Sequence, residues 1–243
     1  MRRMTDARVG GAIAIVLGPL GWCVASGALL GGDPMIAFEI GGSALVLLWA
    51  ALLVREVLAS RGVAQGLLVG SEPGVFSGVA CRVTPALAMD AVVVGSLRPQ
   101  VFVGAELVEG LTDRELEAVM FHEDHHRRTR APLRAAALGA WLRILGRSNH
   151  LRAVLLGRLT ALETMADADA IRRGSTPRSL AAALLKGGPS INPVAFTYGT
   201  QLRVERLLER AAGIPERSPA APPYEWLPVA FVAITSLICH ASL

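Results

Sequence analysis

The chain has 243 residues, of which 52% are hydrophobic and 18% are charged, and its mean hydropathy is +0.46. A typical soluble domain is about 45–50% apolar and about 25% charged, so these values disfavour a protein that is entirely dissolved in water. The net charge of +4 comes from scattered arginines without interleaved aromatic residues, which disfavours a nucleic-acid partner and favours an anionic lipid surface.

The N-terminal quarter of the chain is strongly apolar. A basic segment at residues 1–8 precedes a run without charge at residues 9–30, which is long enough for a transmembrane helix. A signal peptide is an alternative for this run, because residues 24–28 are small enough to form a cleavage site. A second apolar run predicts another transmembrane helix at residues 35–55.

The C-terminal end predicts a third membrane segment. A Pro-rich linker at residues 213–223 leads to an apolar run, which predicts a transmembrane helix at residues 226–243. Arg55 and Arg61 follow the second span, and the positive-inside rule therefore places the domain at residues 62–212 in the cytoplasm. We thus expect a multi-pass protein of the cell membrane.

Short runs rich in valine and leucine follow the second span and are separated by glycine, proline and serine. This pattern is typical of strands and predicts a small sheet, with strands at residues 66–69, 79–84, 91–95 and 100–103. If the last of these strands lies at an exposed edge, it could pair with an extended substrate backbone. An ordinary strand, paired on both sides, is the alternative.

The sequence His122-Glu123-Asp124-His125-His126 fits the pattern HExxH. Thr112 and Glu115 form a capping box that predicts the start of a helix just upstream. On that helix His122 and His126 lie one turn apart on one face, which suits two ligands of a tetrahedral zinc ion. Glu123 lies about 100° further around the axis, where it can take a proton from water beside the metal.

Helical periodicity continues after this motif and predicts helices at residues 133–145, 151–171, 177–186 and 200–212. The first of them contains Arg134 and Arg143 and is too short and too charged to cross a membrane. It is expected either on the membrane surface or as a helix of the domain core.

A catalytic zinc ion needs a third protein ligand and an open position for water. Glu163 and Asp167 share one helical face, so Glu163 is predicted as the third ligand and Asp167 as acceptor for the second ring nitrogen of a ligating histidine. Asp169 is an alternative third ligand on another face. A chelating pair of His122 and His125 is an alternative to the HExxH geometry.

The segment LTDRELEAVMFHEDHHRR, with ETMAD downstream, resembles the integral-membrane zinc metallopeptidases of the BlaR/MecR type. The strand segment at residues 91–103 is similar to the one that precedes the zinc helix in that family. The resemblance implies an α+β membrane protein with a mainly helical gluzincin-like domain between transmembrane helices, in a short form without a sensor domain. It also implies zinc as cofactor, Glu123 as catalytic base, and cytoplasmic or membrane-proximal proteins or peptides as substrates of a regulatory endopeptidase.

Two alternatives to this reading follow from particular residues. The HtpX and CAAX-protease type peptidases share both motifs but place membrane helices between them, whereas only 36 residues lie between His126 and Glu163 here. Asn192 and Arg203 faintly resemble a distal segment of the HtpX type and are candidates for substrate or oxyanion contacts. Because Asp124 and His125 are polar positions inside the motif, an inactive pseudo-protease or membrane scaffold is the second alternative.

Overall fold

The computed structural model describes residues 34–187 and 199–212. Within them the chain is mainly helical and carries a small mixed sheet, as the α+β prediction requires. The predicted segments at residues 1–8, 9–30, 213–223 and 226–243 lie outside the described residues. The helices are α1 (Pro34–Leu68), α2 (Ala105–Gly110), α3 (Asp113–Arg128), α4 (Ala131–Leu145), α5 (Asn149–Arg172), α6 (Pro177–Lys186) and α7 (Gly199–Ala211). The strands are β1 (Glu72–Phe76), β2 (Val79–Thr84), β3 (Ala91–Val94) and β4 (Gln100–Gly104).

The strands of the described sheet lie in the order β1-β2-β4-β3. β1 and β2 form an antiparallel hairpin whose turn residues Ser77 and Gly78 have φ values of 49° and 77°, as a two-residue turn with the twist of the strands requires. β4 pairs with β2 in parallel and with β3 in antiparallel orientation. The hypothesis that residues 100–103 form a free edge is therefore wrong, because both sides of β4 are already hydrogen-bonded. In the described sheet the edge strands are β1 and β3.

The two faces of the sheet are covered by different helices. Val101 and Val103 point into the main core, where they pack with Met120 of α3 and Leu180 of α6. Phe102, between them in sequence, points to the opposite face and joins a smaller core with the C-terminal part of α1. This alternation follows from the two-residue period of a strand, and it places α3 and α1 on opposite faces of the sheet.

Helix α1 is longer than the predicted span and extends from Pro34 to Leu68. The strand prediction at residues 66–69 is wrong, since Leu67 is helical and packs against Val94 and Phe102 of the sheet. Tertiary packing thus overrides the weak strand preference of a short apolar run. Among the described residues, one helix, at Gly41–Leu68, is long and apolar enough to cross a membrane.

Helix α4 packs against α1, which identifies the predicted helix at residues 133–145 as a packed helix of the fold. The rings of Trp49 and Trp141 stack with centroids 5.8 Å apart, and the indole N–H of Trp49 donates to the carbonyl oxygen of Ala137 at 3.3 Å. Arg143 forms an ion pair with Glu56 of α1 at 2.6 Å. These contacts attach the domain to the helix that contains the candidate membrane span.

Candidate metal centre

The start of α3 is fixed by local hydrogen bonds, as the capping box predicts. The Thr112 hydroxyl accepts from the backbone N–H of Glu115 at 3.4 Å, and the Glu115 carboxylate accepts from the backbone N–H of Thr112 at 2.8 Å. Glu115 also accepts from the Lys186 ammonium group of α6 at 2.7 Å. Two reciprocal hydrogen bonds therefore define where α3 begins, and a third connects this end of the helix to α6.

His122 and His126 face one another one turn apart on α3, and both are buried. Their Nε2 atoms lie 3.0 Å apart. Glu163 of α5 approaches the same point, with Oε2 3.4 Å from His122 Nε2 and Oε1 3.4 Å from His126 Nε2. Donor atoms that bind zinc at about 2.0–2.2 Å in a tetrahedron lie about 3.4 Å apart. The two distances to Glu163 match this spacing, and the distance of 3.0 Å between the two Nε2 atoms is shorter. This cluster of two histidines and one glutamate could hold a metal ion.

Asp167 orients the first of these histidines. Its carboxylate lies 2.9 Å from His122 Nδ1, one helical turn beyond Glu163 on α5. A hydrogen bond at Nδ1 leaves Nε2 to face the metal position, which is the arrangement common at metal-binding histidines. Burial acts to lower the pKa of His122, but the hydrogen bonds to Asp167 and Glu163 outweigh it and raise that pKa to about 10.

Arg203 of α7 contacts the carboxylates of Glu163 and Asp167, and only 3% of its side chain is exposed. It donates to both carboxylate oxygens of Asp167, at 2.9 and 2.7 Å, and to Glu163 Oε2 at 2.9 Å. Burial acts to raise the pKa of Asp167, but the charge of Arg203 is the largest opposing cause and the pKa falls to about 2. The structure brings Arg203 into the site, where it neutralises and positions two carboxylates. Its role as a substrate or oxyanion contact stays a prediction.

Glu123 is buried beside the two histidines. Burial is the main cause that raises the pKa of its carboxyl group, and the charges of Glu163 and Asp90 raise it further against the lowering effect of His122 and His126. A carboxylate whose pKa is shifted toward neutrality is suited to take up a proton and release it again. β3 contacts α3, and Asp90 lies immediately before that strand.

The two polar residues inside the motif bind away from the metal cluster. Asp124 accepts hydrogen bonds from Arg127, Arg128 and Arg173, at distances between 2.6 and 3.0 Å. His125 Nδ1 lies 3.3 Å from Asp169. Neither residue belongs to the cluster that could hold a metal.

Asp169 also lies away from the three candidate ligands. Its carboxylate accepts from Arg128 at 2.5 Å and from Arg172 at 2.7 Å. The described structure thus places Glu163, and not Asp169, against His122 and His126.

The sequence predicts part of this network of ion pairs around Asp124 and Asp169. Arg127 and Arg128 follow Asp124 at helical spacings of three and four residues, which indicates local ion pairs. The link from Asp124 to Arg173 joins positions 49 residues apart and is set by how α3 and α5 cross. Asn192, the other candidate for a substrate contact, lies outside the described residues.

No protein-family profile, curated protein or solved structure matches the chain.

Proposed function

We propose that the chain is a membrane-integral zinc metalloendopeptidase of the BlaR/MecR-type gluzincin class. The observation that carries the proposal is the convergence of His122, His126 and Glu163, whose donor atoms lie 3.0 to 3.4 Å apart, close to the spacing of about 3.4 Å between tetrahedral zinc ligands. The donor chemistry agrees with this metal, since two imidazoles and one carboxylate form a known ligand set of catalytic zinc.

The side chains around this cluster have different roles in the proposed reaction. Zinc, when bound, supplies a Lewis acid and lowers the pKa of a bound water toward about 7. Glu123 takes the proton of the attacking water and passes it to the amine that leaves the peptide bond. Asp167 keeps His122 in the tautomer that presents Nε2, and Arg203 balances the charge of the two buried carboxylates.

An extended peptide is the substrate shape that this site favours. β3 is an edge strand of the described sheet and contacts α3, and its residues Ala91 and Val93 pack against the core that includes Met120 of α3. The charge of Asp90, immediately before this strand, acts on Glu123. A substrate that pairs with the edge of β3 would therefore pass beside the catalytic carboxylate. We propose this role for β3 in place of the strand at residues 100–103.

The membrane location proposed here is multi-pass, with the catalytic domain on the cytoplasmic side. The apolar part of α1 and the arginines that follow it support this orientation. Cytoplasmic or membrane-proximal segments of proteins are then the accessible substrates. The alternative of an inactive scaffold depended on Asp124 and His125, and their contacts with arginines and Asp169 give that alternative no support.

The decisive experiment compares the full chain with its Glu123→Gln variant in detergent. Zinc is measured by mass spectrometry, and cleavage is followed on a peptide library with mapping of the products. We expect one zinc per chain in both proteins and cleavage in the parent alone, since Gln cannot take up the proton. A Glu163→Ala variant should lose the zinc. Equal cleavage by the parent and the Glu123→Gln variant would show that the assignment is wrong.

A further inference from the structure

The free edge of β3 carries backbone groups that no strand of the described sheet uses. The N–H of Gly104 in β4 donates to the carbonyl oxygen of Asp90 at 2.8 Å, which marks a hydrogen-bonded pair of the antiparallel ladder. Hydrogen-bonded and non-hydrogen-bonded pairs alternate along such a ladder. The backbone N–H and C=O groups of Ala91 and Val93 therefore point away from β4. We call this edge of residues 90–95 the binding edge.

Three backbone groups of the binding edge are available to a paired peptide. The N–H of Ala91 is occupied, because it donates to the Asp90 carboxylate at 2.9 Å. The C=O of Ala91 and both the N–H and the C=O of Val93 make no hydrogen bond within the described residues. A peptide strand that pairs with these three groups covers about three of its own residues, in either orientation.

Helix α1 closes the binding edge directly after β3. The next N–H that points outward, that of Gly95, donates to the hydroxyl oxygen of Ser60 in α1 at 3.2 Å. Val94 packs with Ala64 and Leu67 of the same helix, so α1 lies against the end of the strand. The Ser60 hydroxyl therefore occupies the position that the carbonyl oxygen of a longer paired strand would need.

The other end of the binding edge lies toward the candidate catalytic residue. β3 contacts α3, and the charge of Asp90 acts on Glu123 of that helix. From Asp90 to Gly95 the strand advances five residues, or roughly 16 Å. A peptide that extends from the catalytic carboxylate along β3 therefore meets α1 after a short distance.

We propose that α1 limits the binding edge to about three substrate residues on one side of the scissile bond, and that Ser60 determines this limit. The inference rests on the proposed function and on the role of β3 in it. Residues of a longer substrate turn away from the sheet at Ser60 and add no binding. Exposed loops and chain ends of proteins are thus the favoured substrates, because their chains can leave an extended conformation after so few residues.

The test measures kcat/KM of the full chain in detergent for peptides of increasing length. The peptides derive from a sequence that the parent cleaves, and they are extended by one residue at a time on each side of the scissile bond separately. A hydrogen bond of ordinary strength corresponds to about fivefold in binding. We expect kcat/KM to rise over about three residues on one side, by roughly 100-fold in total, and then to stay constant.

Three variants of α1 test the role of Ser60. Ser60→Phe adds bulk at the closed end and should reduce the gain from the outermost of the three residues about fivefold or more, with little change for the shortest peptide. Ser60→Ala removes the hydrogen bond to Gly95 without added bulk and should keep the full gain. Ala59→Phe, at an exposed position one residue earlier, adds the same ring and is the matched control.

A crosslinking measurement keeps the proposal testable if Ser60→Phe fails to fold. A peptide with benzoylphenylalanine at the outermost of the three residues is bound to the Glu123→Gln variant and irradiated. We expect mass spectrometry to locate the adduct on α1 close to Ser60. The same group on the other side of the scissile bond should give no adduct on α1.

Several results would overturn the proposal: a kcat/KM that keeps rising beyond six residues on both sides, one that is independent of length on both sides, equal effects of Ser60→Phe and Ala59→Phe, or an adduct far from α1. The absence of any cleavage by the parent would overturn the proposed function, and this inference with it. Cleavage with a different dependence on length would overturn the inference alone. The two failures can therefore be told apart.

Discussion

Asp167 and Arg203 form a buried bidentate ion pair. Arg203 Nε donates to Asp167 Oδ2 at 2.9 Å, and Arg203 Nη2 donates to Asp167 Oδ1 at 2.7 Å. The same arginine reaches Glu163, so one cation serves two carboxylates of the candidate metal centre. A buried acid without a cation is costly, and the pair is thus part of what allows two acids to lie beside two histidines.

Replacement of Arg203 by Gln should destabilise the metal-free protein by about 3 kcal/mol, because two buried carboxylates lose their cation. The loss should be smaller with zinc bound, since the metal supplies positive charge to Glu163. Melting curves recorded with a chelator and with zinc measure both values. Arg206→Gln, an exposed site on the same helix, is the control and should change neither. An equal loss with and without zinc would contradict the charge-balancing role.

Replacement of Asp167 by Asn should lower the affinity for zinc by about 10- to 100-fold, because the amide holds His122 less firmly in the required tautomer. Competition with a chromophoric chelator measures this affinity. Asp169→Asn makes the same chemical change two residues further along α5, away from the histidine pair, and should leave the affinity unchanged. The opposite ranking of the two variants would assign the orienting role to Asp169.

Replacement of Asp124 by Asn should destabilise the fold by about 2 kcal/mol, because Arg127, Arg128 and Arg173 lose their charged acceptor. One zinc per chain should still bind, since Asp124 belongs to the network outside the metal cluster. Denaturant unfolding and metal analysis give the two readings. Asp113→Asn, at the exposed first turn of the same helix, is the comparison. Loss of zinc together with normal stability would mean that Asp124 acts at the metal.

The pair of Glu115 and Lys186 predicts an acid-sensitive contribution to stability. The hydrogen bond from Lys186 is the main cause that lowers the pKa of Glu115 from its ordinary value of 4.5. A carboxyl group whose pKa is lowered by folding stabilises the fold above the ordinary pKa, and this contribution disappears as the pH falls through the lowered value. Glu115→Gln should therefore have a lower melting temperature than the parent at pH 7, and this difference in melting temperature should shrink below about pH 4.

This comparison is made on metal-free protein in the presence of a chelator, so that zinc binding does not add its own pH dependence. Glu109→Gln, at an exposed position of α2, provides the control and should show no such convergence. A melting difference between Glu115→Gln and the parent that stays constant from pH 7 to pH 3 would exclude the ion pair as its source.

Local features of the chain could be predicted from sequence, and helix α3 is the clearest case. Thr112 and Glu115 specify its start through contacts within four residues, and the spacing of His122 and His126 specifies one shared face. The strand at Val79–Thr84 has the bounds that its valine-rich pattern indicates. Such features depend on backbone geometry that neighbouring residues impose.

Features that depend on distant residues could not be predicted in the same way. The interior position of β4 depends on its parallel pairing with β2, which registers Val83 with Val103 across a crossover. Leu67 lies in a helix and packs against Val94 and Phe102 of the sheet. Both partners are distant in sequence, so the residues next to Leu67 do not predict this contact. The ion pair between Arg173 and Asp124 likewise depends on how α3 and α5 cross. Sequence spacing predicts which side chains share one face of a helix or strand, whereas tertiary packing determines which residues cover that face.

The unbroken course of α1 has a mechanical consequence. A helix of 35 residues is about 50 Å long, and this one connects the apolar stretch before Arg55 to Leu67 beneath the sheet. Its contacts at Trp141 and Arg143 add a second point of attachment along the same rod. A tilt or rotation of the rod at its apolar end would therefore move the sheet, whose other face packs against α3. The candidate metal centre on α3 is thus connected through the sheet to the apolar end of α1, tens of ångströms away.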